Sequence, residues 1–285
     1  MIGTQYFYTL FSSLAQNADI FASQRSVEHM IKKFRLTYPC FTGAEKRRLY
    51  VYLPRGYNTQ SKRRYPVLYM FDGQNVFFDR TATYGKSWGV GKYLNRNKIP
   101  LIVAAYECNC HADNGRLSEY SPFYYNPQGE WGGPYEPRAA ETMDWFINVL
   151  KPFIDQRFRT LPDRRHTFIS GSSMGGLMSL YAILKHNNVF SRAAALSPSL
   201  NIDIEKLCEM IQEAELSPDT VLYMDYGQKE FSYEGWSRAN FVRTAQLLGA
   251  KDILLSTRLI PDGEHNEASW ERQLPFVIPT LMYNI

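Results

Sequence analysis

Histidine is scarce in this chain. Its 285 residues carry five: His29, His111, His166, His186 and His265. Any chemistry that needs an imidazole has to choose among them. Cysteine is scarcer still, with Cys40, Cys108, Cys110 and Cys208 too few for a disulfide framework, which points to a reducing, cytoplasmic setting. An excess of one charge is also missing. The 32 Lys+Arg against 28 Asp+Glu leave +4, too small and too scattered to argue for nucleic acid. No apolar run reaches 18 residues, so no membrane-spanning helix is expected. Residues 1–19 have no basic n-region and an interrupted apolar stretch, a poor signal peptide. Neither G-x-x-x-x-G-K-[ST] nor G-x-G-x-x-G occurs, which removes the usual phosphate loops. Cys108-x-Cys110-His111 lacks the second half of a zinc site, so no metal is expected.

What is present is an alternation. Residues 32–40 and 47–53 read as strands around the Thr42-Gly43-Ala44-Glu45 turn, a hairpin. Six short apolar runs follow, at 65–71, 100–106, 166–170, 193–196, 220–225 and 253–260. Runs apolar on both faces suit a sheet covered by helices on both sides. Helical periodicity lies between and after them, at 141–158, 175–186, 204–213, 237–248 and 269–283. The expected fold class is therefore α/β, with a mostly parallel, doubly wound central sheet. Tyr6, Phe7, Leu10, Phe11 and Leu14 recur at helical spacing, so residues 1–30 read as a helical extension to one catalytic domain at 31–285. The stretch 107–137 is long and aperiodic, as functional loops are.

One motif carries chemistry. Gly171-Ser172-Ser173-Met174-Gly175 fits G-x-S-x-G, between an apolar strand and an amphipathic helix. A serine on such a sharp turn stands at a helix N-terminus, where backbone N–H groups favour negative charge. A serine hydroxyl needs a base to take its proton. In this architecture acid and histidine follow the serine in the chain, which leaves His186 and His265. His186 ends the helix that the serine opens, about three turns away, and reads as a cation at a helix C-terminus. His265 lies in a polar turn after the last strand and is the expected base. The acid should follow the strand at 220–225: Glu230 is preferred, with Asp225 and Glu234 as alternatives. Oxyanion donors are expected at the backbone N–H groups of Met174 and Gln74.

Five segments then resemble one family: Arg48-Leu-Tyr-Val-Tyr-Leu-Pro54, Tyr65-Pro-Val-Leu-Tyr-Met-Phe-Asp-Gly-Gln-Asn75, Arg116-Leu-Ser-Glu-Tyr-Ser-Pro122, Gly171-Ser-Ser-Met-Gly-Gly176 and Gly263-Glu-His-Asn266. In this order they look like the putative-esterase branch of the α/β-hydrolase superfamily, which includes esterase D-like, feruloyl, acetyl-xylan and enterobactin esterases. The resemblance runs from about residue 32 to the C-terminus. It implies an α/β-hydrolase fold, Ser173 and His265 as catalytic, and an acid at the position of Glu230; some siderophore-type relatives work with serine and histidine alone.

The expected activity is a serine carboxylic-ester hydrolase acting through an acyl-enzyme, with no cofactor. Its partner is a small-molecule ester, with neither nucleic acid nor a membrane span; a homo-oligomer is left open. The substrates expected are acetyl- or feruloyl-type esters of carbohydrates. Siderophore esters, acyl transfer and a non-catalytic ligand-binding module are the alternatives. Aromatic side chains, with a flat face and a polar edge, suit such substrates. Trp88, Tyr124, Trp131 and Trp236 are the expected lining, among further rings at Tyr106, Phe123, Tyr125, Tyr135, Phe231 and Tyr233. An Arg116–Glu119 pair is expected to pin the long loop.

Overall fold

The computed structural model describes residues 27–40, 43–109, 115–126, 133–232 and 237–285. The chain opens with a hairpin, β1 (Ile31–Cys40) and β2 (Gly43–Tyr52), antiparallel and in register from Ile31↔Tyr52 to Cys40↔Gly43. Six strands follow: β3 (Val67–Met70), β4 (Ile102–Tyr106), β5 (Thr167–Ser172), β6 (Arg192–Leu196), β7 (Val221–Gly227) and β8 (Leu254–Ile260). They form one sheet in the order β1-β2-β4-β3-β5-β6-β7-β8. β2 meets β4 antiparallel; every later pairing is parallel. All six sequence-read runs are strands.

The side-chain period of two divides the strands β1 to β7 between two cores. On β3, Val67 and Tyr69, with Phe71 just beyond, enter one hydrophobic cluster, and Leu68 and Met70 enter the other. The first core packs under helices at Ala139–Trp145, Lys151–Arg157, Met174–Lys185, Ile204–Glu213 and Arg238–Gly249. The second packs under Val90–Arg96, Glu267–Glu271 and Leu274–Leu281. In chain order α1 is Val90–Arg96, α2 Gly115–Glu119, α3 Ala139–Trp145, α4 Lys151–Arg157, α5 Met174–Lys185, α6 Ile204–Glu213, α7 Arg238–Gly249, α8 Glu267–Glu271 and α9 Leu274–Leu281.

The structure redraws some boundaries. The 141–158 helix begins at Ala139 and passes through a π-helical turn at Phe146–Leu150 between α3 and α4. The 269–283 helix is two. α8 ends at Glu271, and α9 starts at Leu274 with Pro275 in its first turn, where the missing N–H costs nothing. The aperiodic stretch contains α2, whose five residues are too short to show a period. β8 is an edge strand, only half-buried. Among the described residues, no helix is long and apolar enough to cross a membrane.

Candidate active site

β5 ends at Ser172 and α5 begins at Met174, leaving Ser173 alone in the turn. Its backbone sits at φ 59°, ψ −124°, a region that costs a side-chain-bearing residue on the order of 1–3 kcal/mol. Three hydrogen bonds hold it there. The Ser173 N–H donates to the Leu196 carbonyl at 3.0 Å, and the Ser173 carbonyl accepts from Leu177 at 3.0 Å and Ser199 at 3.1 Å. The flanking glycines make the turn possible: a Cβ on Gly171 would lie 2.7 Å from the backbone of Gly175. The Ser173 hydroxyl lies 3.4 Å from that of Ser199.

The expected acid and base stand beyond two further strand ends. Beyond β7 a short 3-10 turn, Gln228–Ser232, carries Glu230; beyond β8 the polar turn carries His265. Glu230 Oε2 and His265 Nδ1 are 2.9 Å apart, with the carboxylate fully buried and the imidazole about one-fifth exposed. The other carboxylate oxygen, Oε1, accepts from the Gly227 N–H at 2.9 Å and from the Ser197 hydroxyl at 2.6 Å. The two turns touch directly. Lys229 N–H donates to the Gly263 carbonyl at 3.2 Å, and Lys229 Nζ pairs with Glu264 at 3.0 Å. A Cβ on Gly227 would meet the Gly263 carbonyl at 2.4 Å. The imidazole stands edge-on to Trp270, centroids 5.1 Å apart.

Of the alternative acids, Asp225 is engaged elsewhere. Still on β7, it accepts from the Tyr223 hydroxyl at 2.8 Å and from the Ser197 N–H at 3.2 Å. Burial pushes its carboxyl up to about 7. Glu234 lies outside the described residues. His186 does not fit its reading as a charged helix partner: burial lowers its pKa, and its Nε2 is buried without a hydrogen-bond partner.

After β3, Asp72 takes the left-handed conformation (φ 54°) and caps a 3-10 turn, Gly73–Asn75, that contains Gln74. The Gln74 side chain is committed to Cys108: its Oε1 accepts from the Cys108 N–H at 3.3 Å and its Nε2 reaches Sγ at 3.1 Å. The Gln74 N–H lies in this turn and the Met174 N–H opens α5, where the first N–H groups of a helix have no partner within it. The expected Arg116–Glu119 pair is replaced by two others. Arg116 grips Asp72 in a bidentate pair at 2.6 and 2.7 Å, and Glu119 pairs bidentately with Arg47 on β2 at 2.6 and 2.7 Å. Glu119 is almost fully buried, and a planar guanidinium already buried on β2 offers it two matched donors. α2 is therefore tied to Asp72, ahead of the Gly73–Asn75 turn, on one side and to β2 on the other.

Sequence reasoning missed Ser197, Ser199, Trp270 and Glu267. The signal for the serines was their place, Ser197-Pro198-Ser199, just past the carboxyl end of a parallel strand. Glu267 is buried beside the site, bonded by Asn75 Nδ2 at 3.1 Å, and burial raises its pKa.

The aromatic expectations divide. Trp88 is 3% exposed and packs on Trp270 at 5.8 Å, so it supports the histidine's neighbour from below instead of lining a pocket. A ring with no free face belongs to the core. Tyr124 is exposed. Tyr106 packs against Trp145 at 4.5 Å and Tyr135 stacks on Tyr125 at 6.0 Å, as loop and core packing would have them. Phe231, beside Glu230, stacks flat on Tyr226 at 5.2 Å. Trp131, Tyr233 and Trp236 lie outside the described residues, as do Cys110 and His111.

The geometry has counterparts. The family model described as "Putative esterase" matches residues 43–277. The uncharacterized protein YbbA of Bacillus subtilis (strain 168) is 25% identical over 189 residues, covering 66% of this chain and 70% of that protein. Esterase Rv1288 of Mycobacterium tuberculosis (strain ATCC 25618 / H37Rv) is 34% identical over 148 residues, covering 52% of this chain; the match spans only 28% of that longer protein. Among solved structures, an IroE-like serine hydrolase from Shewanella oneidensis superposes with a TM-score of 0.69 at 22% identity, covering 87% of this chain and 78% of its own. The enterobactin esterase FES from Shigella flexneri does so with a TM-score of 0.64 at 17% identity, covering 88% and 59%. A ferulic acid esterase gives a TM-score of 0.64 at 18% identity, covering 88% and 98%. With the motif order, the sheet and the family match in agreement, the chain belongs to the putative esterase family of the α/β-hydrolase superfamily and is a carboxylic ester hydrolase.

Proposed function

We propose that this esterase works through an acyl-enzyme on Ser173, with His265 as base and Glu230 as the acid that orients it. The observation that carries the reading is the 2.9 Å contact of the buried Glu230 carboxylate with His265 Nδ1, at the same sheet edge as the strained Ser173 turn. With Nδ1–H held by Glu230, Nε2 is left to take the proton of the Ser173 hydroxyl. The alkoxide attacks the ester carbonyl. The N–H groups of Met174 and Gln74 then receive the developing oxyanion. His265 returns the proton to the departing alcohol, and a water deprotonated by the same nitrogen releases the acid. Turnover of p-nitrophenyl acetate by wild type and Ser173→Ala tests this: the variant is expected to lose roughly 10⁴-fold or more in kcat. Retention within a few-fold would sink the assignment. Labelling of Ser173 by a fluorophosphonate excludes a non-catalytic binding module.

For substrate, we propose acetyl- or feruloyl-type esters of carbohydrates, supported by the fold-level likeness to a ferulic acid esterase. Siderophore esters are a second reading of equal support, because neighbours named as enterobactin esterase and siderophore hydrolase share the fold. A panel of acetyl, butyryl, feruloyl and siderophore-lactone esters separates the two by kcat/KM.

A further inference from the structure

Ser197 follows the last residue of β6 and holds a left-handed backbone at φ 41°. Nothing in the proposed chemistry uses it, yet it meets four groups around the acid. Its N–H points at both the carbonyl (3.0 Å) and Oδ1 (3.2 Å) of Asp225. Its hydroxyl lies 2.6 Å from Glu230 Oε1 and 3.0 Å from the indole nitrogen of Trp270. An indole N–H only donates, and an ionised carboxylate only accepts. The single hydroxyl proton is therefore spent on Glu230, and the oxygen's lone pair takes the indole. Trp270 in turn stands edge-on to the His265 ring. Both supports of the imidazole, carboxylate and indole, thus meet on one oxygen.

Resting on the triad reading above, we propose that Ser197 is a positioning residue: its hydroxyl fixes the Glu230 carboxylate and the Trp270 indole so that His265 presents Nε2 to Ser173. It touches neither substrate nor the reacting atoms and acts through Glu230. The left-handed backbone is part of the device, since Asp225 holds the Ser197 N–H on one side while the hydroxyl faces Glu230 on the other. Among the described residues, the charged groups that bear on this cluster include Asp225 on β7, Arg258 on β8 acting on Asp225, Glu267 on α8 acting on His265, Asp72 and Arg116 acting on Glu267, the Lys229–Glu264 pair between the two turns, and Glu230 itself.

Steady-state kinetics on p-nitrophenyl acetate with the full chain test the role. Ser197→Ala and Ser197→Gly both delete the hydroxyl, and glycine also suits the left-handed backbone, so a folding defect in the first does not carry over to the second. Loss of one hydrogen bond to a charged group is expected to lower kcat by about tenfold or more, with KM nearly unchanged. Freed from one donor, the Glu230 carboxylate holds the Nδ1 proton more tightly, so the acid limb of the kcat/KM profile is expected to move to higher pH. In a Glu230→Gln background the same deletions are expected to cost less than about threefold, because the hydroxyl has lost its charged partner. Trp270→Phe, which keeps a ring and deletes the N–H, is expected to move the limb in the same sense. Ser197→Gly with wild-type kcat, or with an unmoved limb and full additivity with Glu230→Gln, overturns the proposal. If Ser173→Ala is inactive in the same assay, that failure falls on Ser197 alone; if Ser173→Ala stays active, the triad reading itself has failed.

Discussion

Two carboxylates five positions apart, Asp225 and Glu230, end in different chemistry because of where β7 stops. Asp225 is still on the strand, so its side chain points into the sheet's layer and is met by the Tyr223 hydroxyl and the Ser197 N–H. Glu230 lies past the last ladder residue, where the turn swings it to His265. Glu230 ranked first in the sequence because it lies in the loop just beyond a strand read as ending at Asp225; the strand runs two residues further, to Gly227. Glu230→Gln keeps the shape and removes the charge that steadies the imidazolium; we expect kcat to fall about 10²- to 10⁴-fold, with KM nearly unchanged. Asp225 bears on stability. Its carboxyl is raised from 3.8 to about 7 by burial, so the folded state holds a proton that the unfolded state releases. Its stabilising contribution is full below the unfolded value and is lost as pH rises through about 7. Across that window the slope is up to ~1.4 kcal/mol per pH unit. Denaturant titrations from pH 4 to 8 should show this slope in wild type and a flatter profile in Asp225→Asn; equal slopes would refute it.

At the scale of elements, the site is a set of turns clamped to one another. The histidine turn and the acid turn meet at Gly227 and Gly263 with no room for a side chain. Gly227→Ala is expected to destabilise by about 1–3 kcal/mol through overpacking and, by parting Glu230 from His265, to lower kcat as well; thermal melts and kinetics together check both. The Gly73–Asn75 turn, proposed to meet the oxyanion, is clamped by Arg116, whose forked contact on Asp72 replaces the Arg116–Glu119 pair that spacing suggested. Residues three apart face each other on a helix, but α2 is a single short turn, and its two side chains take other partners: Glu119 the buried Arg47 guanidinium, Arg116 the Asp72 carboxylate. Arg116→Ala should lower kcat by roughly tenfold through a loosened oxyanion turn, and Arg116→Lys should not restore it, since an ammonium cannot supply the fork. The six strands after the hairpin were legible because each is a short apolar run. The break between α8 and α9 was not: the apolar period runs on across it, and only Pro275 marks the restart.

For the molecule as a whole, the sheet order follows from local facts. A hairpin supplies the antiparallel edge, β3 follows it through a connection without a helix, and each strand from β4 to β8 comes after a helix and lies parallel to a neighbour, the pattern of βαβ crossovers. The elbow, the acid turn and the histidine turn then fall on one edge, because all three follow parallel strands at their carboxyl ends. The aromatic excess was read less well. Many of those rings pack the two cores, and composition cannot say which face of a sheet a tyrosine will enter. The left-handed Ser173 has a consequence for the fate of the fold. A glycine there would accept the same backbone at no steric cost, so Ser173→Gly should be inactive yet melt higher, by about 2 °C for each kcal/mol released. Calorimetry of the pair would measure how far stability and activity oppose each other at this one position. A lineage that drifted away from hydrolysis would gain stability at its first inactivating step, which favours the survival of such scaffolds after their chemistry has gone.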